Sequence, residues 1–256
     1  MTRVDLAAAA RSGPSQFLAQ PPHRRLHGLE LRRGAVGGLA ALSIGLASPA
    51  TAGAPQAWPG TWLGHVEALA VMESLNSALL ASHSATATLE TWCADHRMAD
   101  PPRIVARRIL GADKPITAEQ RARLQIGPDE PVRYRHVQLA CGDHVLSEAD
   151  NWYVPSRLTP EMNRLLDTTD IPFGRVIQPL RPERQTLSAE RLWSPLPAGW
   201  EMDGAGAGEV TGGPLVVPAF LFRHRALVFD SDRRPVAEVV ETYTGEMLNF
   251  TAPGGH

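Results

Sequence analysis

The strongest structural constraint in this sequence is the hairpin pattern between Val132 and Val154. Gly142 and Asp143 separate two segments of alternating side chains, which is typical of two antiparallel strands joined by a tight turn. Because the side chains of a strand point alternately to its two faces, two arginines of the first segment fall on one face with apolar residues. That face holds Arg133, Arg135, Val137, Leu139 and Cys141, whereas Val132, Tyr134, His136, Gln138 and Ala140 share the other.

Arginines on a partly buried strand face indicate an anionic partner. An isolated buried charge is unfavourable, and the planar guanidinium group matches the geometry of a carboxylate. The partner of Arg135 is either a protein carboxylate or a bound ligand, and the hairpin is therefore the first place to look for a binding site.

The remaining patterns favour a single α+β domain with a largely antiparallel sheet and the helices grouped on one side. Apolar spacing from Trp62 to Ala81 predicts one or two helices, and Ser84 or Thr86 is a candidate N-cap for the next helix. Helices come early in the chain and strands follow in runs, which is the order expected for this class. Further helices are predicted at 117–124 and 159–166, strands at 104–110, 132–140 and 145–154, an extended segment at 174–180, and a last hairpin at 220–229 and 235–244.

The first 54 residues resemble an export leader. Arg32-Arg33 precedes an uncharged Gly/Ala-rich run, and Ala50-Thr51-Ala52 has the small-x-small form of a cleavage site. The pattern is similar to a twin-arginine signal, which carries a folded protein across a bacterial membrane. The alternatives are a disordered tail and a misassigned start, while too few large apolar residues are present for a stable membrane span. The domain is then expected at 55–256, with a Gly-rich insertion at 203–213.

Charge and cysteine content argue against several classes of function. Residues 1–52 hold six arginines and two acids, so the remainder carries 19 basic and 25 acidic residues, a balance that does not indicate nucleic-acid binding. Cys93 and Cys141 form either one disulfide in an oxidising compartment or two free core thiols. Two cysteines without clustered histidines are a poor zinc set, so no metal is predicted.

Several short motifs follow one another in a fixed order after residue 84. They are Ser84-Ala85-Thr86 at a helix start, Arg135 to Leu139 on a strand, Val154-Pro155 after the hairpin, Pro172-Phe173-Gly174-Arg175 in a turn, and an arginine-to-glutamate hairpin at the end. In this order the chain resembles the chorismate lyase family over most of its length past the leader. The same fold is shared by the ligand-sensing domains of some bacterial transcription regulators.

The resemblance implies an elimination that requires no metal or organic cofactor. Chorismate lyases remove pyruvate from chorismate and leave 4-hydroxybenzoate, and aromatisation of the ring drives the reaction. Chorismate carries two carboxylates, so the site must supply cationic or backbone donors and exclude water. The residues implied are Glu241 at the reacting centre, Arg135 for a carboxylate, the backbone of Phe173 and Gly174 for ligand oxygen, and Ala85, where a larger methionine is usual, for a ligand contact.

Two of the charged residues keep a second interpretation. Glu238 and Glu241 are three positions apart and point to opposite faces of a strand, so only one can face the ligand, and Glu241 is favoured. Alternatively, Glu241 forms a structural ion pair with Arg223 or Arg225 across the hairpin. Arg175 either closes over an anion or is exposed to solvent.

Other polar residues near the motifs have plainer predicted roles. Asp150 and Asn151 are expected to orient the hairpin, and His136 is expected to face away from Arg135. His83, next to the early helix, is a candidate for acid–base chemistry.

The predicted export and the predicted substrate conflict, because chorismate is made in the cytoplasm. One hypothesis is a cytoplasmic lyase with a misassigned start. A second is a periplasmic or secreted protein that binds a small aromatic or sugar acid without turning it over, and a third is a lyase acting on a different enol ether. Each requires a pocket for a small carboxylate ligand.

Overall fold

The computed structural model describes residues 58–111, 113–203 and 213–250. The predicted leader lies outside these residues, as does all but the two ends of the predicted insertion at 203–213. The strands are β1 (Ile104–Arg108), β2 (Arg133–Cys141), β3 (His144–Tyr153), β4 (Glu183–Arg191), β5 (Phe220–Phe229) and β6 (Pro235–Thr244), and the helices are α1 (Trp62–Ala81), α2 (Ala85–Asp95), α3 (Ala118–Arg123), α4 (Pro160–Thr168), α5 (Phe173–Val176) and α6 (Trp200–Asp203).

The described strands form one six-stranded sheet in the order β1-β2-β3-β6-β5-β4. Every neighbouring pair is antiparallel. The predicted α+β class with an antiparallel sheet is therefore confirmed. β2 and β3 meet at the Gly142-Asp143 turn, and Gly142 has φ +54°, a left-handed conformation that glycine adopts without strain.

Four helices begin at hydroxyl side chains that complete the first turn. Thr61, Ser84, Thr117 and Thr159 each accept a hydrogen bond from the backbone N–H three residues later. Such a cap contributes about 1 kcal/mol of helix stability. The Ser84 cap fixes where α2 starts, and that start determines which residues of α2 face the sheet.

One face of the sheet, called here the covered face, packs against α1, α2, α4 and α5. Met72 and Leu75 of α1 and Leu89 of α2 are almost fully buried in the larger hydrophobic cluster. Leu166 of α4 and Val176 of α5 continue the layer over β5 and β6. Full burial of one such side chain contributes about 1.5–3 kcal/mol, so the apolar faces of these helices hold the layer in place.

Helix α3 packs on the opposite face of the sheet, so the helices are not all on one side as predicted. Leu124, directly after α3, is buried against Val154 and Leu227. Arg123 donates two hydrogen bonds to the Glu238 carboxylate, at 2.8 and 2.9 Å. These contacts occupy Glu238 on the face opposite the covered face.

Two parts of the chain differ from the sequence-based expectation. The segment predicted as extended at 174–180 is helical, because Pro172 caps α5 and a 3-10 turn follows at Gln178–Leu180. β4 had not been predicted. Trp62–Ala81 is one helix, which is one of the two predicted alternatives. No helix in the described part of the chain is long and apolar enough to cross a membrane.

A disulfide joins Cys93 on α2 to Cys141 at the end of β2. Both cysteines are fully buried, and their Cα atoms are 6.2 Å apart. The bridge fastens the second helix to the strand that carries Arg135.

Candidate functional site

A cavity of about 70 Å³ lies between the covered face of the sheet and the first residues of α2 and α5. This volume is several times what a single water molecule needs. Apolar side chains form most of the wall, and polar side chains converge at a few points. The residues that line it are His83, Ser84, Ala85, Thr86, Arg135, Val137, Leu139, Ala149, Asn151, Phe173, Gly174, Ile177, Pro182, Arg184, Val228, Val239 and Glu241.

Arg135 projects from β2 into this cavity and forms no salt bridge among the described residues. Only 3% of its surface is exposed, and its Nε and Nη2 atoms have no hydrogen-bond partner in the part of the chain that the structure describes. Burial lowers the pKa of the guanidinium group from its ordinary value. A buried arginine with free donors is suited to receive an anion.

Asn151 on β3 stands directly beside Arg135 in the strand register. Its side chain is also buried and lines the cavity, and its Oδ1 atom has no hydrogen-bond partner. Two neighbouring polar groups with unused hydrogen-bonding capacity therefore face the same space.

Glu241 on β6 faces the cavity and is held by two donors. Arg184 Nη2 donates to Glu241 Oε2 at 2.8 Å, and the Tyr243 hydroxyl donates to the same oxygen at 3.2 Å. Burial lowers the pKa of Arg184, but the Glu241 carboxylate raises it, and the net shift of that pKa is upward. The ion pair keeps a carboxylate oriented at the wall of an otherwise apolar cavity.

The two glutamates of β6 point to opposite faces, and Glu241 is the one that faces the cavity. Within the described residues, the alternative pairing of Glu241 with Arg223 or Arg225 does not form. Arg223 lies 3.8 Å from Glu190, and Arg225 lies 3.7 Å from Glu238 on the opposite face. The alternation of β5 turns both arginines away from the cavity, and this leaves Arg184 as the partner of Glu241.

A buried histidine lies behind the glutamate. His224 on β5 is the register partner of Glu241, and its Nε2 atom donates to Asn76 Oδ1 of α1 at 2.8 Å. Burial, with Arg184 nearby, lowers the pKa of His224 from 6.5 to about 4. The imidazole is therefore neutral at pH 7.

The first residues of α2 and α5 close the cavity opposite the sheet. The early backbone N–H groups of a helix have no acceptor within that helix, so those of Ala85 and Thr86 are available. Gly174 packs so closely on α2 that an added Cβ atom would lie 3.0 Å from Thr86 Oγ1. The contact places Phe173 and Gly174 at the cavity.

Five of the predicted site residues come together at this cavity. They are Ala85, Arg135, Phe173, Gly174 and Glu241. Arg175 does not line this cavity, and its half-exposed guanidinium pairs with Glu90, which fits the solvent-exposed alternative of the two that were predicted. His83 lines the wall, as its predicted role would require.

A similar protein identifies the family to which this chain belongs. The uncharacterized protein y4mC of Sinorhizobium fredii (strain NBRC 101917 / NGR234) is 53% identical over 199 residues, which are 77% of this chain and 84% of that protein. The chain belongs to the y4mC family. No family model matches the sequence.

Solved structures show partial similarity to the y4mC-family chain. The effector domain of PhnF from Mycobacterium smegmatis aligns at 13% identity with a TM-score of 0.40, covering 68% of this chain and 96% of that domain. A GntR-family transcriptional regulator from Enterococcus faecalis aligns at 14% with a TM-score of 0.35, over 59% of this chain and 99% of the other. YydK of Bacillus subtilis aligns at 14% with a TM-score of 0.35, over 60% of this chain and 63% of YydK. TM-scores this low give no basis for assigning a ligand of these proteins to this chain. Membership of the chorismate lyase family stays a prediction.

The order of motifs in this y4mC-family sequence did not predict several of the residues that line the cavity. Arg184 lies on the strand that was not predicted, and Asn151 had been assigned to the hairpin. Ser84 and Thr86 were predicted as caps rather than as cavity residues. The alternation of β3 was the available signal for Asn151, because it places this residue on the same face as Ala149.

Proposed function

We propose that the cavity binds a small organic acid through Arg135, and that the acid is chorismate, from which the protein eliminates pyruvate. The observation that supports this most directly is the buried Arg135 guanidinium with two unpartnered nitrogen atoms. Removing a charged group from water without a partner costs several kcal/mol. A ligand carboxylate at Arg135 would offset that cost and form the bidentate contact that arginine favours.

The walls of the cavity are suited to a ring. Val137, Leu139, Val228 and Val239 present branched apolar side chains from the sheet, and Phe173 faces them from α5. Apolar walls with a few convergent polar groups are typical of small-molecule sites. An acid with a six-membered ring places apolar carbon against these walls and its carboxylate at Arg135.

The elimination balances without another reactant. The bond between the ring carbon and the ether oxygen breaks, the ring carbon that bears the hydroxyl group loses its hydrogen as a proton, and the released enolpyruvate gains a proton and becomes pyruvate. The remaining ring is 4-hydroxybenzoate. In this proposal Glu241 lies beside the reacting centre, where its carboxylate can accept the ring proton, and Arg184 orients that carboxylate.

A second candidate is binding without turnover. It is favoured by the state of Glu241, since Oε2 already accepts hydrogen bonds from both Arg184 and Tyr243. Two donors on one oxygen hold the carboxylate in place, as in a structural ion pair at the wall of the cavity. The same cavity would then serve as a receptor for an aromatic or sugar acid.

One experiment separates the two candidates. Purified protein is incubated with chorismate, 4-hydroxybenzoate is followed by chromatography and pyruvate by a coupled assay, and calorimetry measures binding of 4-hydroxybenzoate. Equimolar products, lost in Glu241→Gln while its melting transition is retained, support the lyase. Binding without products supports the receptor, and neither binding nor products would overturn the proposal.

A further inference from the structure

The amide of Asn151 has no structural role that accounts for its burial. Only 4% of the residue is exposed, and its Oδ1 atom finds no partner among the described residues. A buried polar atom left in this state costs about 1–3 kcal/mol. Such a cost is expected where the atom meets a ligand.

The predicted role in orienting the hairpin belongs to the neighbouring residue instead. Asp150 points to the opposite face, where it accepts hydrogen bonds from Lys114 at 2.6 Å and from the Tyr134 hydroxyl. Asn151 faces the cavity, beside Arg135 in the register. The contacts of Asp150 therefore hold the hairpin on one face of the sheet. Asn151, on the other face, is not needed for them.

The groups around the ligand space differ in what they can bind. Arg135 offers only donors, and Glu241 accepts both of its protein hydrogen bonds at Oε2, so Oε1 is the part of this carboxylate that a ligand can meet. Asn151 adds an unused acceptor within the same cavity. A ligand hydroxyl group could donate to this acceptor while the ligand carboxylate is held by Arg135.

We propose that Asn151 is a specificity-determining residue that selects acids carrying a hydroxyl group over their deoxy analogues. The inference rests on the proposed function, because it needs an acid at Arg135. A site with an unpaired acceptor discriminates against a ligand that lacks the matching donor, since the acceptor then stays desolvated and unpaired.

The test compares benzoate, 3-hydroxybenzoate and 4-hydroxybenzoate by calorimetry on the full chain. We expect at least one hydroxybenzoate to bind the wild type about fivefold or more tightly than benzoate, which is the contribution of one neutral hydrogen bond. Asn151→Leu should remove this preference and leave benzoate binding within about twofold, because only the hydroxyl contact is lost. Ser147→Ala is the matched control, since Ser147 lies on the same strand, is fully buried and has an unpartnered Oγ atom, but does not line the cavity.

A second variant keeps the inference testable if Asn151→Leu does not fold. Asn151→Asp preserves the shape of the side chain and sets a carboxylate beside Arg135, so all three acids should bind at least about tenfold more weakly. Wild-type affinities in Asn151→Asp, or an unchanged preference in Asn151→Leu, would overturn the inference while leaving acid binding at Arg135 intact. If none of the acids, chorismate included, binds the wild type, the proposed function fails and the inference fails with it.

Discussion

We expect Arg135 to lower the stability of the ligand-free protein, because its guanidinium group is buried with two nitrogen atoms that have no partner among the described residues. Methionine has a side chain of similar length without the charge. We expect Arg135→Met to raise the free energy of unfolding by about 1–3 kcal/mol, because an unpaired buried charge is removed. The same change should weaken binding of a carboxylate ligand by about 2–4 kcal/mol. Urea unfolding and calorimetry with 4-hydroxybenzoate measure the two effects.

The matched control for this variant is Arg107→Met on β1. Arg107 is exposed and donates to the Gly142 carbonyl oxygen at 2.6 Å. Its replacement should change both quantities by no more than about 0.5 kcal/mol. An Arg135→Met protein that is less stable than the wild type and binds the acid equally well would show that Arg135 has a structural role.

His224 should make the stability of the protein depend on pH. Its pKa is about 4 in the folded protein and 6.5 ordinarily, so between these values the unfolded chain binds a proton that the folded one does not. Acidification from pH 7 to 5 should therefore lower the free energy of unfolding by about 2 kcal/mol through this group. Urea unfolding at a series of pH values tests this.

His224→Gln isolates the contribution of the histidine. Glutamine does not titrate, and its amide can still donate to Asn76, so the loss of stability between pH 7 and 5 should shrink by about 2 kcal/mol. An equal slope in His224→Gln and the wild type would show that folding does not lower the pKa of His224.

The close packing of α2 against α5 determines the shape of the cavity on the side opposite the sheet. Gly174→Ala would place a methyl group 3.0 Å from Thr86 Oγ1, so either the Thr86 side chain moves by a few tenths of an ångström or one helix shifts from the other. We expect a loss of about 1–3 kcal/mol in the free energy of unfolding and weaker acid binding. Gly127→Ala is the control, because its Cβ atom would meet nothing within 4 Å. Equal stability and affinity in the two variants would contradict the role given to this contact.

β2, β3 and β5 were predictable because burial alternates along much of each strand, and β6, which is buried along most of its length, was predicted as the second strand of the last hairpin. β5 and β6 were predicted with the bounds that the structure gives them, and β2 and β3 within one residue. The same alternation, together with the motif order, predicted that Arg135 and Glu241 would face one space. A strand with one buried face leaves a period of two in its sequence.

β4 and α5 could not be predicted in this way. β4 is an edge strand whose side chains are mostly exposed, and its register shifts between Thr186 and Ser188, so no alternation is left in its sequence. Arg184 was missed for that reason. α5 has only four residues, which is too short to show a helical period, and Pro172 and Gly174 resemble turn residues.

The walls of the cavity come from parts of the sequence that lie far apart. The disulfide is one of the links between these walls. Cys93 and Cys141 are 48 positions apart, and their bridge joins α2, which forms one wall, to β2, which carries Arg135. A cross-link over a loop of this length typically contributes about 2–4 kcal/mol. A domain of this size is stable by about 5–15 kcal/mol in total, so the bridge is a substantial but not decisive part.

The size of the disulfide's contribution to stability matters for the predicted twin-arginine leader. Such a signal exports a protein that has already folded in a compartment where thiols stay reduced, so the reduced protein must fold without the bridge. We expect dithiothreitol to lower the free energy of unfolding by about 2–4 kcal/mol while a cooperative urea transition is retained. The double variant Cys93→Ala and Cys141→Ala should behave like the reduced wild type and should not respond to dithiothreitol. A reduced protein without a folding transition would be incompatible with export after folding, and an unchanged transition would mean that the bridge does not stabilise the fold.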